Sequence, residues 1–209
     1  MLLTSLMSSR LCHDLVNPVG ALSSGLEVLR EPDTDDEMRR EAMALIETSA
    51  EKAITALKFA RLAYGLSGGL THEVSLAEVR ELLAGVYSFA KADLEWAVDG
   101  ASVPKPEAKA LLLLAHAAGD CVPRGGTVRI AGALGEYEIV ASGPRTMLNQ
   151  DLVAALDGRA SDLTPKFAPA FLVGKIARDA GGEACAELVE DRVFFRLVIP
   201  RSSLSLTAG

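Results

Sequence analysis

The chain has 209 residues, of which 49% are hydrophobic, and a formal net charge of −7, so it can bury the core of one domain or two. An acidic balance argues against a nucleic-acid surface, which needs clustered Lys and Arg, and no apolar run approaches the ~20 residues of a membrane span. The N-terminus lacks a signal-peptide layout, and Cys12, Cys121 and Cys185 show no CxxC spacing, which reads as reduced thiols in a cytoplasmic protein with no disulfide framework or zinc site.

A first helix is expected over 3–30. Leu11, Leu15, Val19, Leu22, Leu26 and Leu29 recur at spacings of four and three, the stripe of a buried helix face. His13 precedes Leu15 by two residues and therefore points away from that stripe, toward solvent. Asp14 follows it directly, and Asn17 lies one turn on, on the same face. Pro18 removes a backbone donor and is expected to bend the helix just past the histidine. A mid-helix proline costs about 3 kcal/mol, so its presence points to something other than stability.

Pro32 stops this helix, and the loop 31–36 is short and acidic. Thr34 followed three residues later by Glu37 forms a capping box for a second helix. That helix should carry Met38, Ala42, Ile46, Ala53, Leu57, Ala60 and Tyr64 inward and end near Gly65. Two long helices cannot enclose their apolar stripes alone, which predicts a homodimer in which two hairpins form a four-helix bundle. Gly-rich residues 65–71 read as a linker, placing a helical domain at 1–66 and a second domain at 67–209.

In the second domain Ser75 and Glu78 cap a helix to about Lys91, and residues 94–98 read as a strand closed by Asp99-Gly100. A strongly apolar helix is expected over 106–121, then strands at 127–133 and 137–142, helices at 149–156 and 165–180, and strands at 184–189 and 193–199. Helices mixed with hairpinned strands make a two-layer α/β sandwich, so the fold class is α+β. Residues past Pro200 are Ser-rich and expected to fray.

The run His13-Asp14-Leu15-Val16-Asn17-Pro18 resembles the H-box of sensor histidine kinases, and the hairpin resembles their dimerisation and phosphotransfer domain. The second half resembles their ATP-binding catalytic domain of Bergerat type, in degenerate form. Pro123-Arg124-Gly125-Gly126-Thr127-Val128 is similar to the turn after the N-box. Counting back, the magnesium-holding Asn falls at Ala117 and the N-box Lys at Asp120. Residues 139–145 resemble the strand into the G1 box, whose acid position is Ala141 and whose final glycine is Arg145, with only Gly143 kept. Residues 167–182 resemble the G2 box, with Phe167 and Pro169 at its phosphate-facing glycines. Each replacement removes a nucleotide contact: no acid accepts the adenine amino proton, and Pro169 has no N–H to give a phosphate.

This combination resembles the ChpT-type histidine phosphotransferases of bacterial cell-cycle phosphorelays. Ser9-Arg10-Leu11-Cys12-His13-Asp14, Pro18-Val19-Gly20-Ala21 and Gly25-Leu26-Glu27 resemble that family in particular. The resemblance implies a carrier that takes a phosphoryl group from the receiver domain of a hybrid histidine kinase and passes it to response-regulator receivers of CtrA-like and CpdR-like kinds. It implies no cofactor on this chain: ATP is not expected, and magnesium belongs to the receiver.

His13 is then the nucleophile, Asp14 accepts the other ring N–H or takes up a proton, and Asn17 orients a phosphate oxygen or fixes the local helix geometry. Arg10, one turn before His13, is placed to help steady the transferring group. His72 and His116 lack comparable company, and Cys12 is read as a packing residue. The acidic run 33–37 is read as helix cap and solvated loop, and Glu27, Glu31 and Asp35 are too scattered for a metal site. Two other functions compete: a diverged ATP-dependent histidine kinase, and a non-catalytic adaptor that sequesters receivers.

Overall fold

The computed structural model describes residues 2–65 and 72–200. The expected linker beyond Gly65 and the Ser-rich stretch beyond Pro200 lie outside the described residues. The chain divides into two compact units, Met1–Gly65 and Leu66–Gly209.

The first unit is a hairpin of α1 (Leu2–Arg30) and α2 (Asp36–Ala63). Helix α1 runs unbroken through Pro18, which is buried together with Met7 and Gly25. The buried set of α2 is Ala42, Ser49, Phe59, Ala60 and Ala63. These small residues allow a close approach of the two helices. A Cβ on Gly25 would lie 2.7 Å from Ile46 Cγ1 and 3.1 Å from the Ala42 carbonyl oxygen. The seam therefore runs to one side of the leucine stripe expected from the sequence. Leu11, Leu15, Leu22 and Leu29 are half-buried, while Val19 and Leu26 are exposed. Met38 and Leu57, expected inward on α2, are also exposed, as are Met43, Leu45 and Ile54.

The turn between the helices corrects a second expectation. The N-cap of α2 is Asp35, whose carboxylate accepts from the Met38 N–H at 2.8 Å. Thr34 instead donates its hydroxyl to the Val28 carbonyl at 2.8 Å, which also accepts from the Glu31 N–H at 3.3 Å, so the side chain reinforces the end of α1.

The second unit begins with β1 (Glu73–Ser75) and α3 (Leu76–Tyr87), followed by β2 (Ala92–Val98), β3 (Ser102–Pro104) and α4 (Lys105–Gly119). It continues through β4 (Gly126–Ala133), β5 (Glu136–Ser142), α5 (Gln150–Leu156), α6 (Ala168–Asp179), β6 (Glu183–Val189) and β7 (Arg192–Val198). The main sheet has the order β2-β4-β5-β7-β6, with β2 and β4 parallel and every other neighbour antiparallel. Strands β1 and β3 form a separate antiparallel pair, too short to show a period in the sequence. Ser75 caps α3 as expected, accepting from the Glu78 N–H at 3.0 Å.

Helix α4 is the centre of this unit, packing against β4, β5 and β7 as well as α3 and α6. Its Leu111, Leu112, Leu113 and Leu114 are all fully buried. Burying a leucine contributes about 1.5–3 kcal/mol, so this one run outweighs any single polar contact in the unit. On the sheet, Tyr137, Ile139 and Ala141 of β5 and Val193, Phe195 and Leu197 of β7 are buried, while Glu136, Glu138, Arg192 and Arg196 are exposed. That alternation is the mark of a two-layer sandwich with helices on one face. The Tyr137 hydroxyl donates to the buried Glu107 carboxylate of α4 and ties the layers together.

Two outcomes follow for stability and reactivity. Gly25→Val should destabilise the hairpin by about 1–3 kcal/mol through overpacking against Ile46, read as a lower melting temperature. Cys121 is buried, its thiol pushed up to about 12 mainly by burial and also by the Asp120 charge, and it donates to the Ala117 carbonyl at 3.7 Å. Cys12 and Cys185 are exposed. A thiol reagent at pH 8 should therefore titrate two thiols in the native protein and the third only in denaturant. Cys185 should lag Cys12, because partial burial and the neighbouring Glu183 charge raise its pKa.

Candidate functional site

The helical periodicity of α1 places His13 opposite the apolar stripe, and its side chain is 77% exposed. Its Nδ1 lies 3.4 Å from Asp14 Oδ1. The second oxygen of the same carboxylate, Oδ2, accepts from the Arg10 Nε–H at 3.0 Å across one helical turn. Exposure falls along this row, from 77% at His13 to 30% at Asp14 and 15% at Arg10. Asn17 is exposed one turn beyond His13.

Pro18 acts on the same turn. It has no N–H for the Asp14 carbonyl, so the backbone ladder is open at the residue that faces the imidazole. At the end of α2, the phenol of Tyr64 lies near enough to Arg10 and Asp14 for both charges to act on it. Burial pushes this phenol up to about 12, with Arg10 opposing the rise and Asp14 adding to it. The tyrosine is a neutral wall at physiological pH. Tyr64 was expected only as an inward-facing residue, because nothing in a linear sequence places the end of α2 beside the start of α1. The Arg10–Asp14 pair, in contrast, has a readable i,i+4 signal.

A carboxylate favours the ring tautomer that donates to it, and with the proton on Nδ1 the lone pair lies on Nε2, away from Asp14. A neutral imidazole nitrogen so exposed has the chemistry of a nucleophile and is open to approach by another macromolecule. Cys12, expected to pack, is exposed instead, because its position on the helix falls outside the seam with α2.

In the second unit the positions read against the kinase boxes have these surroundings. Ala117 is buried near the end of α4, and Asp120 is its exposed C-cap. Ala141 is fully buried in β5, paired in register with Val128 and Val193. Gly143 is required by backbone packing: a Cβ there would meet the Gly125 carbonyl oxygen at 2.3 Å. Arg145 is exposed. Phe167 and Pro169 are both buried at the start of α6, with the Lys166 ammonium 5.4 Å from the Phe167 ring centre. The Phe167 and Ala168 N–H groups already donate to the Thr164 carbonyl, at 3.1 and 3.0 Å, and Pro169 has no N–H.

His72 is exposed just before β1, with its carbonyl accepting from the Lys105 N–H at 3.0 Å. His116 is half-buried on α4 and lines a small cleft with Tyr87, Lys91 and Asp120. Among the described residues no group of three or more His, Cys, Asp or Glu side chains is placed to hold a metal ion. Among them, too, no helix is long and apolar enough to cross a membrane.

Comparison with known proteins agrees with this architecture. Residues 76–192 match the model of the histidine phosphotransferase C-terminal domain family. The chain is 32% identical over 167 residues to protein phosphotransferase ChpT of Brucella abortus (strain 2308), covering 79% of this chain and 72% of that protein. It superposes on the 1.7 Å structure of a bacterial phosphotransferase with a TM-score of 0.81 and 26% identity, over 93% of this chain and 95% of the other. Histidine kinase ThkA, in its complex with response regulator protein TrrA, shares the fold with a TM-score of 0.50 at 18% identity, over 94% of this chain and 61% of that one. With more than half its length matched by the family model and most of it aligned to ChpT, the chain belongs to the histidine phosphotransferase family and is a protein phosphotransferase.

Proposed function

We propose that His13 is the phosphoryl carrier of a phosphorelay, taking the group from an aspartyl phosphate on one receiver domain and giving it to the aspartate of another. The observation that carries this reading is an imidazole 77% exposed on a rigid helix, with Asp14 at its Nδ1. In the transfer the Nε2 lone pair attacks phosphorus in line. The P–N bond forms as the P–O bond to the donor aspartate breaks, and the donor carboxylate keeps that electron pair. Asp14 holds the ring in the tautomer that frees Nε2 and stabilises the cationic ring that forms. Asn17 orients a phosphoryl oxygen. Magnesium belongs to the receiver, which supplies most of the charge neutralisation.

The partners we infer are the receiver of a hybrid histidine kinase as donor and CtrA-like and CpdR-like response regulators as acceptors, in a cytoplasmic cell-cycle pathway. The ThkA relative, crystallised with a response regulator, supports a receiver as the class of partner. The chain is proposed to work without ATP. Supporting this, Ala141 offers no carboxylate, Phe167 and Pro169 fill the start of α6, and the N–H groups there are used or missing. The residues present do not fit a nucleotide.

The hairpin is proposed to pair with a second copy as a four-helix bundle, each chain carrying a degenerate kinase-like domain. Val16, Val19 and Leu26 of α1 and Ile54 and Leu57 of α2 are between 43% and 65% exposed, an apolar surface that a single hairpin leaves wet.

Two experiments test these readings. Incubation with a phosphorylated hybrid-kinase receiver should label the wild type and not His13→Ala, and ATP alone should label neither. Label from ATP alone would make the chain a kinase. Normal receiver binding without label would make it an adaptor. For assembly, light scattering should give twice the chain mass for the wild type, and Val19→Glu combined with Leu57→Glu should give the single-chain mass. A monomeric wild type would remove the bundle.

A further inference from the structure

We infer that Arg10 is a positioning residue for phosphoryl transfer, acting through Asp14 to set the tautomer and orientation of the His13 ring. This rests on the reading of His13 as the carrier. The argument starts from how the Asp14 carboxylate divides its two oxygens: Oδ2 accepts from Arg10 Nε at 3.0 Å, and Oδ1 faces His13 Nδ1 at 3.4 Å. A carboxylate on a helix surface turns freely about its last bond and presents either oxygen. Anchoring one oxygen to a guanidinium with fixed donor directions decides where the other one points. His13 and Asp14 are adjacent in sequence, and neighbouring residues on a helix do not naturally face each other. The contact between them therefore depends on what holds Asp14.

The anchor is itself held. Arg10 is the most sheltered of the three side chains, at 15% exposure, so its guanidinium is less free to swing away than the two groups beyond it. The open backbone bond between Pro18 and Asp14 weakens the main chain at this turn, and the Arg10–Asp14 link spans the preceding one. Arg10 also supplies charge balance. An unpaired Asp14 carboxylate would repel the phosphoryl group arriving on the neighbouring ring, whereas the pair with Arg10 is neutral.

A positioning role differs from a merely structural salt bridge in its effect on the ring. The test combines nitrogen NMR of the neutral His13 imidazole, single-turnover transfer from a phosphorylated receiver, and receiver affinity. Wild type should show the proton on Nδ1. Arg10→Gln should move the population toward Nε2–H and slow transfer about 10- to 100-fold, at or below the low end of the ~10²–10⁴-fold given by a directly acting acid–base group, with receiver affinity within twofold. Asp14→Ala should do the same. The double variant should be no slower than Asp14→Ala alone, because Arg10 acts only through Asp14. Arg10→Lys keeps the charge without the planar donor and should fall between wild type and Arg10→Gln. It carries the test if Arg10→Gln melts the hairpin.

An unchanged tautomer in both Arg10 variants overturns the inference. So does a double variant slower than Asp14→Ala by the full Arg10 factor, which would put Arg10 on the phosphoryl group or the receiver directly. Failure of the carrier reading is separate: wild type would then take no label at His13, while the tautomer measurement would still report on Arg10.

Discussion

The first unit depends on how α1 is rotated against α2, and that rotation is set by a narrow seam. Gly25 lets the backbone of α2 come within contact distance, and Pro18 and Met7 extend the same line. Turning α1 by one residue, about 100°, would bury His13's neighbours differently and break the graded row from Arg10 to His13. Because Gly25, Pro18 and Met7 take the inward direction, His13 is left outward, Asp14 and Arg10 fall half-sheltered at the edge, and Val16, Val19 and Leu26 are left uncovered on the other side. The site and the apolar flank are two consequences of one packing choice.

The second unit is held together by its own side chains. Its stability comes from the Leu111 to Leu114 run and the alternating faces of β5 and β7, none of which needs a nucleotide. At the positions that resemble the kinase boxes, side chains pack. Ala141 joins the core, and Phe167 and Pro169 close the start of α6. Gly143 survives for a reason internal to the backbone, since the Gly125–Gly126 turn passes directly against it. A glycine here answers to backbone packing and by itself marks no ligand.

Much of this was legible in the sequence, and the misses have physical causes. The long helices, the strand order's hairpins and the apolar α4 follow from periodicity over many residues, where single exceptions average out. Thr34 and Asp35 are both competent caps, and the choice between them depends on the Val28 carbonyl, which only the folded turn brings within reach of Thr34. The leucine stripe of α1 marks total apolar demand and not the direction of its nearest neighbour, so Val19 and Leu26 are wet although they fit the period. The placement of His13 and Asn17 on one exposed side of α1 was readable, because helical spacing alone puts them there. Tyr64 was not, since its proximity comes from the hairpin closing.

A phosphoryl carrier faces opposing demands. Its nucleophile must be exposed enough for two different receivers to reach it, yet electrostatic guidance is weak in water and grows as solvent is excluded. A single helix resolves this by separating the functions along its surface. On the proposed reading His13, 77% exposed, carries the group, Asp14 at 30% orients the ring, and Arg10 at 15% anchors Asp14. Each group is more sheltered than the one it orients, so the strongest interaction lies where water screens it least. In that proposal the nitrogen needs no pocket of its own on this chain, because a docked receiver would supply the remaining wall. That division also explains why the helix tolerates Pro18 here: the backbone bond lost at Asp14 lies beside a turn that the Arg10 side chain already ties.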